Sequence, residues 1–338
     1  MNVTIKDVAL RAGVSPSTVS RTCRDHPSIS EQTKIKVRKA MAELGYEPSA
    51  QAVAIANHIT KTIGVVFPAS QKDAYENSFY LEAIRGIGQF CNQKHYTVSV
   101  ITGSSQNELM SSIQHAAVDG FIFLYSNLDD AIVNYMYEEQ QLFVLIGKAT
   151  RQINDTIYVD NDNIQAGKEA CEYLIARGHK RIAYIGAESV KIFSNDRKAG
   201  YQIALSEHHI PYDESYCLEI SSLPDHHNTH IRELLQREDR PTALIVCDDI
   251  LAAALQNIIT SQGLRIPEDL SIIGFNNSLY ARIMQPQLTS IDINSRQLGI
   301  EAANQIINHI ERPDLFATKI IVPYFIVERE SVADITHP

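Results

Sequence analysis

From Thr62 onward the chain alternates short apolar runs rich in Val and Ile with longer stretches whose apolar residues recur every three or four positions. The runs are TIGVVFPA, YTVSVITG, VDGFIFLY, FVLIGKA, TIYVDN, RIAYIGA, TALIVCD and LSIIGFNN. Helices are expected between them, over Phe79–Lys94, Ile164–Ala176, Asp196–Ser206, Asp249–Gln262 and Arg296–Ile310. A strand apolar at consecutive positions is buried on both faces, as in parallel sheets covered by crossover helices. Eight such strands exceed one usual open sheet. Two doubly wound lobes are therefore expected, with the break near Asn161–Asn163.

That architecture says where to look for a site. In open α/β sheets ligands bind outside the carboxyl ends of the strands. The residues there include Tyr125, Lys148, Asp160, Asp162, Arg197, Asp248 and Asn276, with Phe79 at the start of a helix. Carboxylates, amides, a guanidinium and aromatic rings are the groups that hydrogen-bond sugar hydroxyls and lie under a sugar ring. Asp and Asn after a strand also cap the following helix, so each residue alone has two readings. No G-x-S-x-G, P-loop, G-x-G-x-x-G or H-E-x-x-H occurs, so no catalytic machinery is expected.

The first 46 residues follow another pattern. Thr4 and Asp7 stand at capping-box spacing, Val8, Ala9 and Ala12 form a narrow stripe, and Gly13 suits a helix end. Ser15 is a good N-cap and Pro16 a good first helical residue for a helix to about Arg24. Ser30 caps a third helix, EQTKIKVRKAMAEL, which Gly45 ends. Ile5, Val8, Val19, Ile29, Ile35, Ala40 and Leu44 are the expected small core. Two helices joined by a three-residue turn containing Gly read as a plain helical hairpin or as a helix-turn-helix, whose second helix can enter a major groove. The exposed side of that helix offers Ser17, Thr18, Ser20 and Arg21, small polar groups and one guanidinium able to reach bases and phosphates. Next, AQAVAIA is helix-prone but too short to be stable alone.

Net charge is −10 over 338 residues, but it is uneven. Residues 1–58 hold eight basic and five acidic side chains, a net of +3, and the rest carries −13. A basic end on an acidic chain fits a nucleic-acid contact at that end. No run of about 18 apolar residues and no signal-peptide pattern occurs, so a cytoplasmic protein without membrane contact is expected. The five cysteines are scattered and read as reduced thiols. His226 and His230 share helix spacing in DHHNTH, but no third zinc ligand is evident, so no metal is expected.

With both halves placed, the chain resembles the LacI/GalR family of bacterial transcription repressors nearly end to end. TIKDVALRAGVSPSTVSR matches the family's N-terminal signature, and AELGYEPSAQAVAIA sits where the family has its hinge helix. SNDRKAGY, TALIVCDD, GLRIPEDLSIIGFNN and PQLTSIDIN follow in family order. VDNDNIQAG and LIGKA are most similar to repressors of maltose and maltodextrin operons of Gram-positive bacteria.

The resemblance implies a periplasmic-binding-protein-like core behind an all-α helix-turn-helix domain. It implies a homodimer on a palindromic double-stranded DNA operator, and a sugar effector rather than a cofactor. The domains would be residues 1–46, a hinge and linker at 47–61, a first lobe of 62–161 plus about 291–321, and a second of 162–290 plus about 322–338. The implied DNA-contacting set is Thr4, Ser15, Pro16, Ser17, Thr18, Ser20, Arg21 and Ser28, with Ala52 and Ile55 entering the minor groove. Arg197, Asp248 and Asn276 match effector-contacting positions, and Phe79 and Tyr125 positions lining the cleft. A phosphocarrier protein as corepressor, or another sugar, a sugar phosphate or a nucleoside as effector, remain alternatives within the family.

Overall fold

A computed structural model describes residues 4–23, 29–46, 60–68, 77–127, 131–187, 191–220 and 229–336. The chain divides into two units, Met1–Thr62 with Ala117–Asp119, and Ile63–Ala116 with Gly120–Pro338.

The first unit contains α1 (Ile5–Ala12), α2 (Pro16–Cys23) and α3 (Glu31–Leu44). The backbone N–H and hydroxyl of Thr4 both donate to the Asp7 carboxylate, at 2.8 and 2.7 Å, which fixes the first turn of α1. Gly13 and Gly45 end α1 and α3 at φ 67° and 64°, a left-handed conformation that costs a glycine little. Val8, Ala9, Val19, Val37 and Ala40 are buried together. Ile35, expected in this core, is 62% exposed. It stands two positions before Val37, a 200° turn around α3, and Val37 takes the inward place. Arg11 reaches Glu43 at 2.5 Å and ties α1 to α3. This pair is solvent-exposed and worth at most about 1 kcal/mol. The short hinge sequence AQAVAIA lies outside the described residues.

Among the described residues the second unit has two six-stranded sheets. The first contains β1 (Thr62–Val66), β2 (Thr97–Ile101), β3 (Gly120–Phe123), β4 (Phe143–Ile146), β5 (Ile157–Asp160) and β11 (Lys319–Ile321). Its order is β11-β5-β4-β3-β1-β2. The second contains β6 (Ile182–Ala187), β7 (Cys217–Ile220), β8 (Ala243–Val246), β9 (Ser271–Phe275), β10 (Thr289–Asp292) and β12 (Phe325–Val327), in the order β12-β10-β9-β8-β6-β7. The eight expected strands are present. The four additional ones are β7, β10, β11 and β12. Three of these are short, partly exposed edge strands. The fourth, β10, buries Thr289 and Ser290 where an apolar run was sought. Their polar groups are satisfied internally: Ser331 Oγ accepts from the Thr289 N–H at 2.8 Å, and Ser290 donates to Asp249 at 2.7 Å. β12 runs antiparallel to β10, unlike the all-parallel expectation.

The chain crosses between the sheets after β5, after β10 and after β11. The Asn161 carboxamide, 4% exposed, donates to the carbonyls of Ile293 at 3.0 Å and Val322 at 2.8 Å. One side chain thus joins all three crossing segments. The expected boundary at about residue 291 falls inside β10, which pairs entirely within the second sheet; the crossing comes after Asp292.

Each lobe seats one pair of long helices at backbone contact. In the first, α4 (Ser78–Gln93) packs on α12 (Ser295–Glu311). A Cβ at Gly86 would collide with the Arg296 carbonyl, and one at Gly299 with that of Ala83. In the second, α7 (Asn163–Ala176) packs on α8 (Ile192–Glu207). There a Cβ at Gly167 would collide with the carbonyl of Arg197, and one at Gly200 with that of Ile164. Helix α8 begins four residues before the expected Asp196. Its first turn is pinned by the buried Tyr184 hydroxyl, which donates to the Ser194 carbonyl at 2.8 Å.

Candidate ligand cleft and DNA-contacting helix

Arg197, on the second turn of α8, is 3% exposed. Its Nε donates to Asn163 Oδ1 at 2.9 Å and its Nη1 to the Cys247 carbonyl at 2.6 Å. The guanidinium lies 4.0 Å from the centre of the Phe275 ring and 5.0 Å from that of Phe193. Burial lowers its affinity for the proton, yet an arginine stays charged at any working pH. The close approach at Gly167 fixes the backbone from which it projects. Position and orientation of this cation are therefore both set by packing.

Asn163 also reaches the first lobe. Its Nδ2 donates to Asp160 Oδ1, at the end of β5, at 3.1 Å. Asp160 is 8% exposed, and burial pushes its carboxyl up to about 7, against a hydrogen bond from the Asn161 backbone and the charges of Arg197 and Lys148. Lys148, after β4, places Nζ 3.3 Å from Asp196 Oδ2 on α8. Asp248 caps α10 (Asp249–Ser261), accepting from the Leu251 N–H at 2.8 Å. Burial and then the Asp248 charge push the Tyr80 hydroxyl well above its ordinary value. Arg197, Asp160, Lys148 and Asp248 are thus brought together with Asp196, in the expected stretch before Arg197, and with Asn163 and Tyr80, which were not among the expected site residues.

The other expected residues are placed differently. Phe79 lies edge-on to Tyr80 at 5.2 Å, and Tyr80 packs on Phe67 at 5.6 Å. Tyr125 is 8% exposed, its ring edge-on to Phe123. Asn276 adopts φ 98°, and its N–H donates to the Ile291 carbonyl at 2.8 Å. The next residue, Asn277, is a structural tie: it donates to Asp292 at 2.8 Å and accepts from Arg329. Asp162 stands apart from the cluster. It is exposed and caps α7 by accepting from the Gln165 N–H at 2.9 Å. The strand ends at Asp160, so the carboxylate two residues later faces the first helical turn. Asp249, beside Asp248 in sequence, is fully buried. It accepts from the Ser278 N–H and the Ser290 hydroxyl, both at 2.7 Å, while burial raises its carboxyl to about 7. The two adjacent carboxylates thus have separate structural duties. His230 pairs with Glu233 at 3.5 Å, His226 lies outside the described residues, and no metal-binding cluster occurs among the described residues.

In the first unit, α2 buries Val19 and Thr22. The helical period places positions 17, 20 and 21 on the opposite face. The side chains of Ser17, Ser20 and Arg21, and residues Ser28, Ala52 and Ile55, lie outside the described part. Ser15 is exposed and caps α2, accepting from the Thr18 N–H at 3.1 Å and sharing a 2.9 Å hydroxyl bond with Thr18. Pro16 and Thr4 are exposed as well.

No helix of the described residues is long and apolar enough to cross a membrane. Residues 4–49 match the family described as bacterial regulatory proteins, lacI family, and residues 171–332 match the periplasmic binding protein-like domain. The HTH-type transcriptional regulator MalR of Streptococcus pneumoniae is 34% identical over 340 residues, covering 97% of this chain and 100% of that protein. The structure of a transcriptional regulator CelR–cellobiose complex superimposes with TM-score 0.76 at 27% identity, covering 97% of this chain and 99% of that one. A Staphylococcus structure described as "probable maltose operon transcriptional repressor malR" gives TM-score 0.73 at 28% identity, covering 81% of this chain and 98% of that one. With a full-length relative at this identity and both domain types matched in order, the chain belongs to the lacI family of bacterial transcriptional repressors and is not an enzyme.

Proposed function

We propose that the chain represses a sugar-utilisation operon, binds a palindromic operator as a homodimer, and is released by maltose or a maltodextrin. The observation that carries the sugar assignment is Arg197. Its two hydrogen bonds hold it rigid without using Nη2, which is left for a hydroxyl. Asp248 and Asp160 supply acceptors, and Phe79 and Tyr80 offer aromatic surface. The likeness to the CelR–cellobiose complex and to the maltose operon repressor supports the same class of ligand.

In this reading residues 1–46 bind DNA, with Ser15, Pro16, Ser17, Thr18, Ser20 and Arg21 toward the major groove and Thr4 and Ser28 toward its phosphates. Residues 47–61 fold as a hinge on DNA, with Ala52 and Ile55 in the minor groove. Folding that segment costs conformational entropy, which DNA contact offsets. Sugar in the cleft alters the lobes and removes that coupling.

A thermal-shift panel on the full chain tests the ligand class, since a ligand that binds only the folded state raises Tm by mass action. Maltose or maltotriose is expected to raise it. A shift with glucose 6-phosphate or a purine alone refutes the maltose assignment.

A further inference from the structure

Among the described residues, contacts other than the three crossing segments also join the lobes. Asn127, after β3, forms an antiparallel backbone bridge with Lys191, just before α8. Lys148, after β4, pairs with Asp196 near the start of α8 at 3.3 Å. On the first lobe the two loops are one piece, because the Ser126 hydroxyl donates to the Lys148 carbonyl at 2.5 Å. On the second lobe both partners belong to the start of one helix. In that sheet β6, which leads to this helix, stands three places from β10. Three strand spacings are about 14 Å, so on the second lobe these contacts stand apart from the crossing after β10, while on the first lobe Lys148 follows β4, the neighbour of β5.

We propose that Lys148–Asp196 and the Asn127–Lys191 bridge form a clasp that holds the lobes together, and that it parts to admit or release a cleft ligand. The ion pair is the adjustable component. The Lys148 side chain is 43% exposed and that of Asp196 is 19% exposed, so water and salt reach the pair and weaken it. Asp196 also faces the buried Asp160 carboxyl, whose proton it helps to retain. Arg197 and then Lys148 are the cations that offset this crowding. The closing role rests on the lobes alone. Only the ligand-gating role rests on the sugar reading above, and the experiment uses no sugar.

Amide hydrogen exchange is measured on the full chain for wild type, Lys148→Met, Asp196→Asn, and the charge-exchanged double variant Lys148→Asp with Asp196→Lys. Peptides covering 124–127 and 191–196 are expected to exchange about three- to fivefold faster in each single variant and near the wild-type rate in the exchanged pair. Half-molar NaCl should speed wild type toward the single variants. The proposal is overturned if the single variants stay within about twofold of wild type. It is also overturned if the exchanged pair is as fast as they are, or if peptides around Asn161 accelerate equally.

Discussion

In the proposed sugar site the first lobe contributes rings, Phe79, Tyr80 and Tyr125, beside Asp160 and Lys148, whereas the second contributes Arg197, Asp248 and the amide of Asn163. Both lobes use the same device behind these groups, a helix pair brought to backbone contact by glycines. The difference lies in what the contact touches. Gly167 abuts the backbone of Arg197 itself, whereas Gly86 abuts Arg296, an exposed residue whose side chain bonds Gln89. In the second lobe packing and site are therefore one structure. In the first they are separable.

The largest effect that separates them is at the two arginines. Arg197→Met strands the Asn163 amide and the Cys247 carbonyl in the core, and is expected to cost about 3–5 kcal/mol in urea unfolding. Arg296→Met should stay within about 0.5 kcal/mol. Equal costs would contradict the distinction. Next, Gly167→Ala and Gly86→Ala should each cost about 1–3 kcal/mol through overpacking. Only Gly167→Ala should also weaken maltotriose binding by calorimetry, by about tenfold, since it displaces Arg197.

The third test is pH. Asp160 in the first lobe and Asp249 in the second keep their protons to about pH 7 when folded, against the ordinary 3.8. Between those values the folded state binds more protons than the unfolded one. Stability should therefore fall as pH rises from about 4 to about 7 and level off above. Asp160→Asn, measured by thermal unfolding, should flatten part of that decline. A decline as steep as in wild type would mean that Asp160 is already ionised. The smallest effect is at the rings. Phe79→Leu should weaken maltotriose binding by about 1 kcal/mol and leave Tm nearly unchanged.

The sheets were legible where burial on both faces demands consecutive apolar residues, as in ALIV of β8 and FVLI of β4. They were not legible in β10, where buried Thr289 and Ser290 depend on Ser331 and Asp249 from elsewhere in the chain. Arg197 and Asp248 could be found from strand ends and helix starts. Tyr80 could not, because only the closing of two lobes brings it to Asp248. Asp160 and Asp162 have identical chemistry two residues apart. Only the end of β5 and the first turn of α7 decide that one is buried and the other caps. The turn between α1 and α2 was the clearest local signal, since Gly13, Ser15 and Pro16 each suit one backbone position.

The central claim is that sugar in the cleft controls operator binding. The direct measurement is fluorescence anisotropy of the full chain on an operator selected from random duplexes, with and without saturating maltotriose, paired with maltotriose affinity with and without operator. The account predicts that both affinities weaken by the same factor, as linkage requires. An operator affinity unchanged by saturating sugar would contradict it.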